Sequence, residues 1–221
     1  MNKAAVKARI TAALRKGIRG RKAALSELVP EAFTAGKVYE AYILGLLCQR
    51  LRLHEGLSCL LVGSTKVMLK SSPGPINKAF PHIRVSKGAV HVADICTDIE
   101  FTSLSAYQQG KKILSQGEYH EIDIAVVAPN AHARPHPDEV FLAVECKNTG
   151  YQKSLLREIL GVRRELSLLS AANPTFFATW PRSNVPANPP SCIAVFSSDS
   201  SVLNYQALGL YFGIDFNHEQ L

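Results

Sequence analysis

Two short apolar runs in the middle of this chain carry acidic residues where a buried strand should carry none. The first is Glu121-Ile122-Asp123-Ile124-Ala125-Val126-Val127, and the second is Phe141-Leu142-Ala143-Val144-Glu145-Cys146-Lys147. Both are short, rich in β-branched and other apolar residues, and bounded by turn formers, which predicts interior strands. Side chains alternate along a strand. Glu121 and Asp123 are therefore expected on one face, Glu145 and Lys147 likewise, with Ile122, Ile124, Val144 and Cys146 turned into the core. If the two strands pair, three carboxylates and one ammonium meet at one edge of a sheet. Isolated charges are very costly to bury, so the chain must compensate this cluster. A divalent cation held by the carboxylates, with the lysine beside it, would do so. The blander reading is an exposed Glu145–Lys147 strand pair with Asp123 at a strand end, of the kind that contributes little.

The flanking segments frame that pair. Lys37 to Leu53 has helical periodicity, and Glu40 falls in line with Ile43, Leu44, Leu47 and Leu51 on the apolar stripe. A glutamate in a first helical turn is also favoured by the helix dipole, so the position alone leaves two readings. Gln152 opens a second helix, predicted to run to about Ser170, with Leu155, Leu156, Ile159, Leu166 and Leu169 as its stripe. Its Lys153, Arg157, Arg163 and Arg164 read mainly as a solvated face. Lys66–Leu69, His82–Val85, Val90–Phe101, Thr175–Trp180 and Cys192–Ser197 are predicted strands. Asp94, Asp98 and Glu100 lie on one of them with irregular spacing and no partner lysine nearby, which reads as a solvated or salt-bridged strand. Phosphate-loop signatures are missing, so no nucleotide cofactor is expected.

Charge is distributed unevenly. Eight of the 25 basic residues (Lys3, Lys7, Arg9, Arg15, Lys16, Arg19, Arg21 and Lys22) lie in residues 1–26, which hold no acidic residue, so the rest of the chain is close to neutral. This segment reads as a basic helical arm over residues 1–29, with Val6, Ile10 and Leu14 on one face and Gly17 and Gly20 as breaks. A basic arm suits nucleic acid, since each neutralised phosphate releases a counterion; dimerisation is a compatible second use. The apolar face is alanine-rich and lacks tryptophan and phenylalanine, which disfavours a membrane surface. An apolar content of 47% suits one domain with a full core. No run reaches membrane-span length, and the N-terminal residues lack the apolar segment expected of a secretory signal. The five cysteines lack CxxC spacing and read as reduced core residues of a cytoplasmic protein.

An acidic residue on one strand followed by Glu-x-Lys on the next, here Asp123 and then Glu145-Cys146-Lys147, resembles the PD-(D/E)XK nuclease superfamily. The nearest wording is that of restriction-endonuclease-like and Holliday-junction-resolvase-like members. The proline of the family's name is replaced by Ile122, and the connection from Asn130 to Glu139 is longer than a tight hairpin. The resemblance implies an α/β domain over residues 30–221, with a central mixed sheet flanked by helices. It also implies magnesium-dependent hydrolysis of DNA phosphodiester bonds, with manganese able to substitute, in restriction, defence or repair, and a homodimer as a family expectation. Asp123 and Glu145 would be metal ligands and the Cys146 carbonyl a third oxygen. Lys147 would orient or help deprotonate the attacking water and offset charge on the phosphorane. Glu40 matches the glutamate that relatives place on the first core helix. Gln152, with Lys153 and Arg157, would meet the DNA backbone. Glu121 stays open between a second metal and an ion pair with Lys147 or Arg157. A different class also remains: a non-catalytic nuclease-like module that binds nucleic acid or a partner protein.

Overall fold

The computed structural model describes residues 3–19, 34–170, 175–181 and 185–221. Helix α1 (Lys3–Gly17) leads into a two-residue strand β1 (Ile18–Arg19), followed by α2 (Ala35–Glu55). Then come β2 (Ser58–Val62), β3 (His82–Lys87), β4 (Val90–Thr102), α3 (Leu104–Gln108), β5 (Tyr119–Val127) and β6 (Val140–Lys147). Helix α4 (Lys153–Leu166), a small pair β7 (Leu168–Leu169) and β8 (Ala187–Asn188), β9 (Cys192–Ser197), α5 (Gln206–Phe212) and β10 (Ile214–His218) follow. The main sheet is mixed, with strand order β1-β2-β3-β4-β5-β6-β9-β10. Strands β2 to β6 form an antiparallel meander, whereas β6, β9 and β10 run parallel. The parallel step from β6 to β9 needs a long crossover, and α4 lies within it.

Helices cover both faces. On one, Ile10 and Leu14 of α1 and Ile43, Leu47 and Leu51 of α2 pack on Ile95, Ile124 and Val144. On the other, Leu156 and Ile159 of α4 pack with Ile99, Ile122, Val195 and Phe216. Helix α2 starts at Thr34, whose hydroxyl accepts the Lys37 N–H at 3.3 Å, and stops at Gly56, in the left-handed conformation at φ 67°. Residues 3–19, which the sequence placed in a basic arm, are docked: Ile10, Leu14 and Ile18 are buried in the same core as α2. Two glycines let α1 and α2 touch. A Cβ on Gly45 would lie 2.8 Å from the Ala13 backbone, and one on Gly17 would lie 2.6 Å from the Gly45 carbonyl oxygen. Lys7, Arg9, Arg15, Lys16 and Arg19 remain exposed. Arg21 and Lys22 lie outside the described residues.

Four sequence expectations are corrected. Lys66–Leu69 and Thr175–Trp180 bury Val67, Leu69, Phe177 and Trp180 but form none of the named strands. The second is pinned instead by the Glu55 carboxylate, which accepts the amides of Ala178, Thr179 and Trp180 at 3.1, 2.8 and 2.9 Å. Helix α4 ends at Leu166, short of Ser170. Arg163 does not belong to a solvated face. It is buried, donating from Nε to the Phe212 carbonyl at 2.9 Å and from Nη1 to Ser167 and Ser191 hydroxyls at 2.7 and 3.1 Å. Burial lowers its pKa to about 10.

Strict alternation also fails where it matters most. Ile122 belongs to the α4-side core and Ile124 to the α2-side core, although alternation would put them on the same face. Neighbouring β4 breaks in the same way, with Ile95 and Ile99 in opposite cores and Asp98 between them at φ 49°. The two irregularities lie side by side, since Thr97 pairs with Ile124 and Ile99 with Ile122.

Candidate metal centre

The pairing of β5 with β6 stops at Ile124 and Val144. Asp123 and Glu145 are the next residues, at the point where the two strands part. Strand β6 carries on against β9 as far as Lys147 and Ser197. The Cys146 N–H donates to Asp123 Oδ2 at 2.7 Å. Helix α2 delivers Glu40 to the same gap and β4 delivers Asp98. One carboxylate oxygen from each of Glu40, Asp98 and Asp123 lies within 4.8 Å of the others. Two hydrogen bonds to backbone carbonyls hold the frame: Ser198 N–H donates to the Lys147 carbonyl at 3.1 Å, and the Asn148 side-chain Nδ2 donates to the Ala35 carbonyl at 3.1 Å. The second ties the end of β6 to the start of the helix that carries Glu40.

Two lysines answer the carboxylates. Lys37 Nζ donates to Glu40 Oε2 at 2.8 Å and also to Asp98 Oδ1. Lys147 Nζ lies 3.1 Å from Glu145 Oε2 and 3.2 Å from Glu158 Oε1 on α4. Burial pushes the Glu145 carboxyl up to about 8, reinforced by Asp123 and opposed by Lys147. Burial also pushes Glu40 up to about 7, opposed by the Lys37 hydrogen bond and reinforced by Asp123 and Asp98. Asp98 and Asp123 are raised by burial as well, against the pull of Lys37 on Asp98 and of the Cys146 amide on Asp123. Burial alone would lower Lys147, but Glu145, Asp123 and Glu158 outweigh it and hold the ammonium protonated. Lys37 behaves the same way under Asp98 and Glu40.

The structure places Glu40 and Asp123 in one carboxylate group with Asp98, while Glu145 lies outside that group, paired with Lys147 and electrostatically coupled to Asp123. At Cys146 the backbone N–H is the group bonded to Asp123. Glu121 is exposed, lies opposite Glu100 on β4, and is outside the Glu40–Asp98–Asp123 group. Lys147 pairs with Glu145 and Glu158 instead of Glu121. Gln152, Lys153 and Arg157 are exposed on the first turns of α4, the helix whose Glu158 reaches Lys147. Arg15, Lys16 and Arg19 are exposed at the end of α1 and on β1, at the far edge of the sheet.

Sequence reasoning missed Asp98, Lys37 and Glu158. Asp94, Asp98 and Glu100 are all ion-paired, in keeping with one of their two sequence readings, with Lys78, Lys37 and Arg134 respectively. Asp94 and Asp98 are nevertheless buried, each 2% exposed, so neither is solvated. The one signal for Lys37 was its spacing of three from Glu40 on a helix.

The donor set suits a hard divalent cation. Its groups are carboxylate oxygens, the ligands magnesium and manganese prefer. Asp98 Oδ2 is buried without a hydrogen-bond partner, which leaves an acceptor for an ion to satisfy. The five cysteines are free, and four of them are buried in the cores. No helix among the described residues is long and apolar enough to cross a membrane. What the fold itself defines is a mixed α/β protein with a large central sheet flanked by helices and an acidic centre where two strands diverge. Compared with protein-family models, with curated proteins and with solved structures, the chain matches none.

Proposed function

We propose that this protein is a PD-(D/E)XK-type, restriction-endonuclease-like enzyme that hydrolyses DNA phosphodiester bonds with magnesium or manganese. The observation that carries the reading is the meeting of Asp123, Glu145 and Lys147 at the divergence of β5 and β6, with Glu40 entering from α2. Asp123, Glu145 and Glu40 would hold the cation, which when bound supplies charge neutralisation at the phosphate and a more acidic water. Lys147, kept protonated by its carboxylate neighbours, is suited to charge stabilisation rather than proton abstraction. Its ammonium can donate to a phosphate oxygen or hold the attacking water in line. Lys153 and Arg157 stand ready to take neighbouring phosphates, with Gln152 beside them. Two sites acting on opposite strands would require a homodimer.

A second reading draws on one observation: the carboxylates already have internal counter-charges in Lys37 and Lys147. That arrangement would also serve a non-catalytic module that binds nucleic acid or protein. Supercoiled plasmid incubated with Mg2+ or Mn2+ separates the two. The nuclease nicks or linearises the plasmid, and Asp123→Ala abolishes this. A wild-type protein that neither cleaves nor binds either ion by calorimetry would establish the module instead.

A further inference from the structure

The acidic centre carries a cation of its own. Lys37 lies one turn before Glu40 on α2 and donates to Glu40 Oε2 at 2.8 Å and to Asp98 Oδ1. Asp98 comes from β4, at the irregularity that faces Asp123. Its side chain is 2% exposed, and its second oxygen, Oδ2, is buried with no hydrogen-bond partner. A desolvated carboxylate oxygen left unbonded is costly, and the ammonium of Lys37 engages only the other one. The three carboxylates converge within 4.8 Å of one another, close enough for a single ion to bridge, so Lys37 is an incomplete solution to the charge it sits against.

We propose that Asp98 is a ligand of the divalent-cation site together with Glu40 and Asp123, and that the Lys37 ammonium is the stand-in which an incoming ion must displace. This rests on the reading that the acidic centre takes a divalent cation. An ammonium and a divalent ion compete for the same oxygens and repel each other at that range. A lysine is built to yield, because its charge sits on a flexible four-carbon stem. Lys37 keeps 19% side-chain exposure and stands beside Thr34 and Ala35, which are exposed, so its path to solvent is short. The cost of releasing it is subtracted from the metal's affinity. Lys37 would therefore keep the unloaded centre compensated and raise the ion concentration at which it loads.

The test is Mn2+ calorimetry on the full chain, comparing wild type with Lys37→Met, Asp98→Asn and Glu145→Gln, alongside amine labelling of Lys37 read by mass spectrometry. Methionine keeps the apolar stem and removes only the charge. Lys37→Met should bind Mn2+ tighter by about tenfold, the worth of one charge-assisted hydrogen bond. Asp98→Asn should bind it weaker, and labelling of wild-type Lys37 should rise when Mn2+ is added. If wild type binds Mn2+ and Glu145→Gln weakens it, while Lys37→Met matches wild type and Lys37 labelling is unmoved, the inference fails and the nuclease reading stands. If wild type binds no Mn2+, both fail. Should Asp98→Asn not fold, Lys37→Met and the labelling still decide.

Discussion

Replacing Glu145 by glutamine should make the metal-free protein more stable while abolishing what the site is for. Glu145 is 5% exposed, and its carboxyl is raised from 4.5 to about 8 by burial and by Asp123. Below pH 4.5 it is protonated in both folded and unfolded chains and adds no penalty. As pH rises toward 8 the unfolded chain ionises while the folded one retains the proton, so stability is lost across that window and stays lost above it. At about 1.4 kcal/mol per pKa unit the full penalty is about 5 kcal/mol. Glutamine forgoes the Lys147 ion pair and sets an amide in a carboxylate's place, so a net gain of about 2 kcal/mol at pH 8.5 is the reasonable expectation. For a chain of this size that is a rise of roughly 4–8 °C in melting temperature. The assay is thermal unfolding in EDTA at pH 5 and 8.5. Wild type should melt lower at 8.5 than at 5, and Glu145→Gln should close much of the gap. Added Mn2+ should stabilise wild type at pH 8.5 but not the variant. A variant no more stable than wild type at pH 8.5, or equally shifted at both pH values, would refute the account of Glu145 as a buried charge that Lys147 compensates only in part.

Lys147→Ala should lower plasmid cleavage by at least ~100-fold, as losing one transition-state donor does, while calorimetric Mn2+ binding persists; retained cleavage removes Lys147 from the mechanism. Gly45→Ala forces a Cβ to within 2.8 Å of the Ala13 backbone. It should destabilise the fold by about 1–3 kcal/mol in urea unfolding, and an unmoved midpoint would mean α1 can slide away freely. The triple variant Arg15→Ala, Lys16→Ala, Arg19→Ala should flatten the log–log salt dependence of DNA binding, by up to about 0.9 for each phosphate no longer neutralised. Parallel lines for variant and wild type would assign these exposed residues to something else.

Elements built on contiguous apolar runs were legible from the sequence. Cys192–Ser197 matches β9 at both ends, and the Glu40 stripe is the buried face of α2. Burial is not pairing, however. Val67, Leu69, Phe177 and Trp180 are core residues, as their hydropathy suggests, but side-chain anchors such as Glu55 hold the second pair's segment without a ladder. Strand β10 escaped notice because Asp215 and Asn217 interrupt its apolar pattern while lying buried inside it. Arg163 looked like a surface residue because nothing local announces the Ser191 and Phe212 acceptors that fold back onto it. Asp98 was the hardest to place. Its meaning depends on a lysine 61 residues away and on a registration with Asp123 that exists only once the strands are aligned.

The meander from β2 to β6 has a consequence in time. Its strands pair with their neighbours in sequence, and such hairpins close with the least chain entropy. Asp98, Asp123, Glu145 and Lys147 all ride on it, whereas β9 and β10 arrive from beyond α4. This topology predicts that during synthesis the acidic residues gather before the strand that walls the other side of β6 has left the ribosome. In that order the nascent chain would carry this knot of charge with Lys37 and Lys147, its partners in the folded protein, as the first counter-ions. Pulse-labelled hydrogen exchange during refolding should find β4 and β5 amides protected ahead of those in β10, and the reverse order would place the birth of the centre at the end of folding.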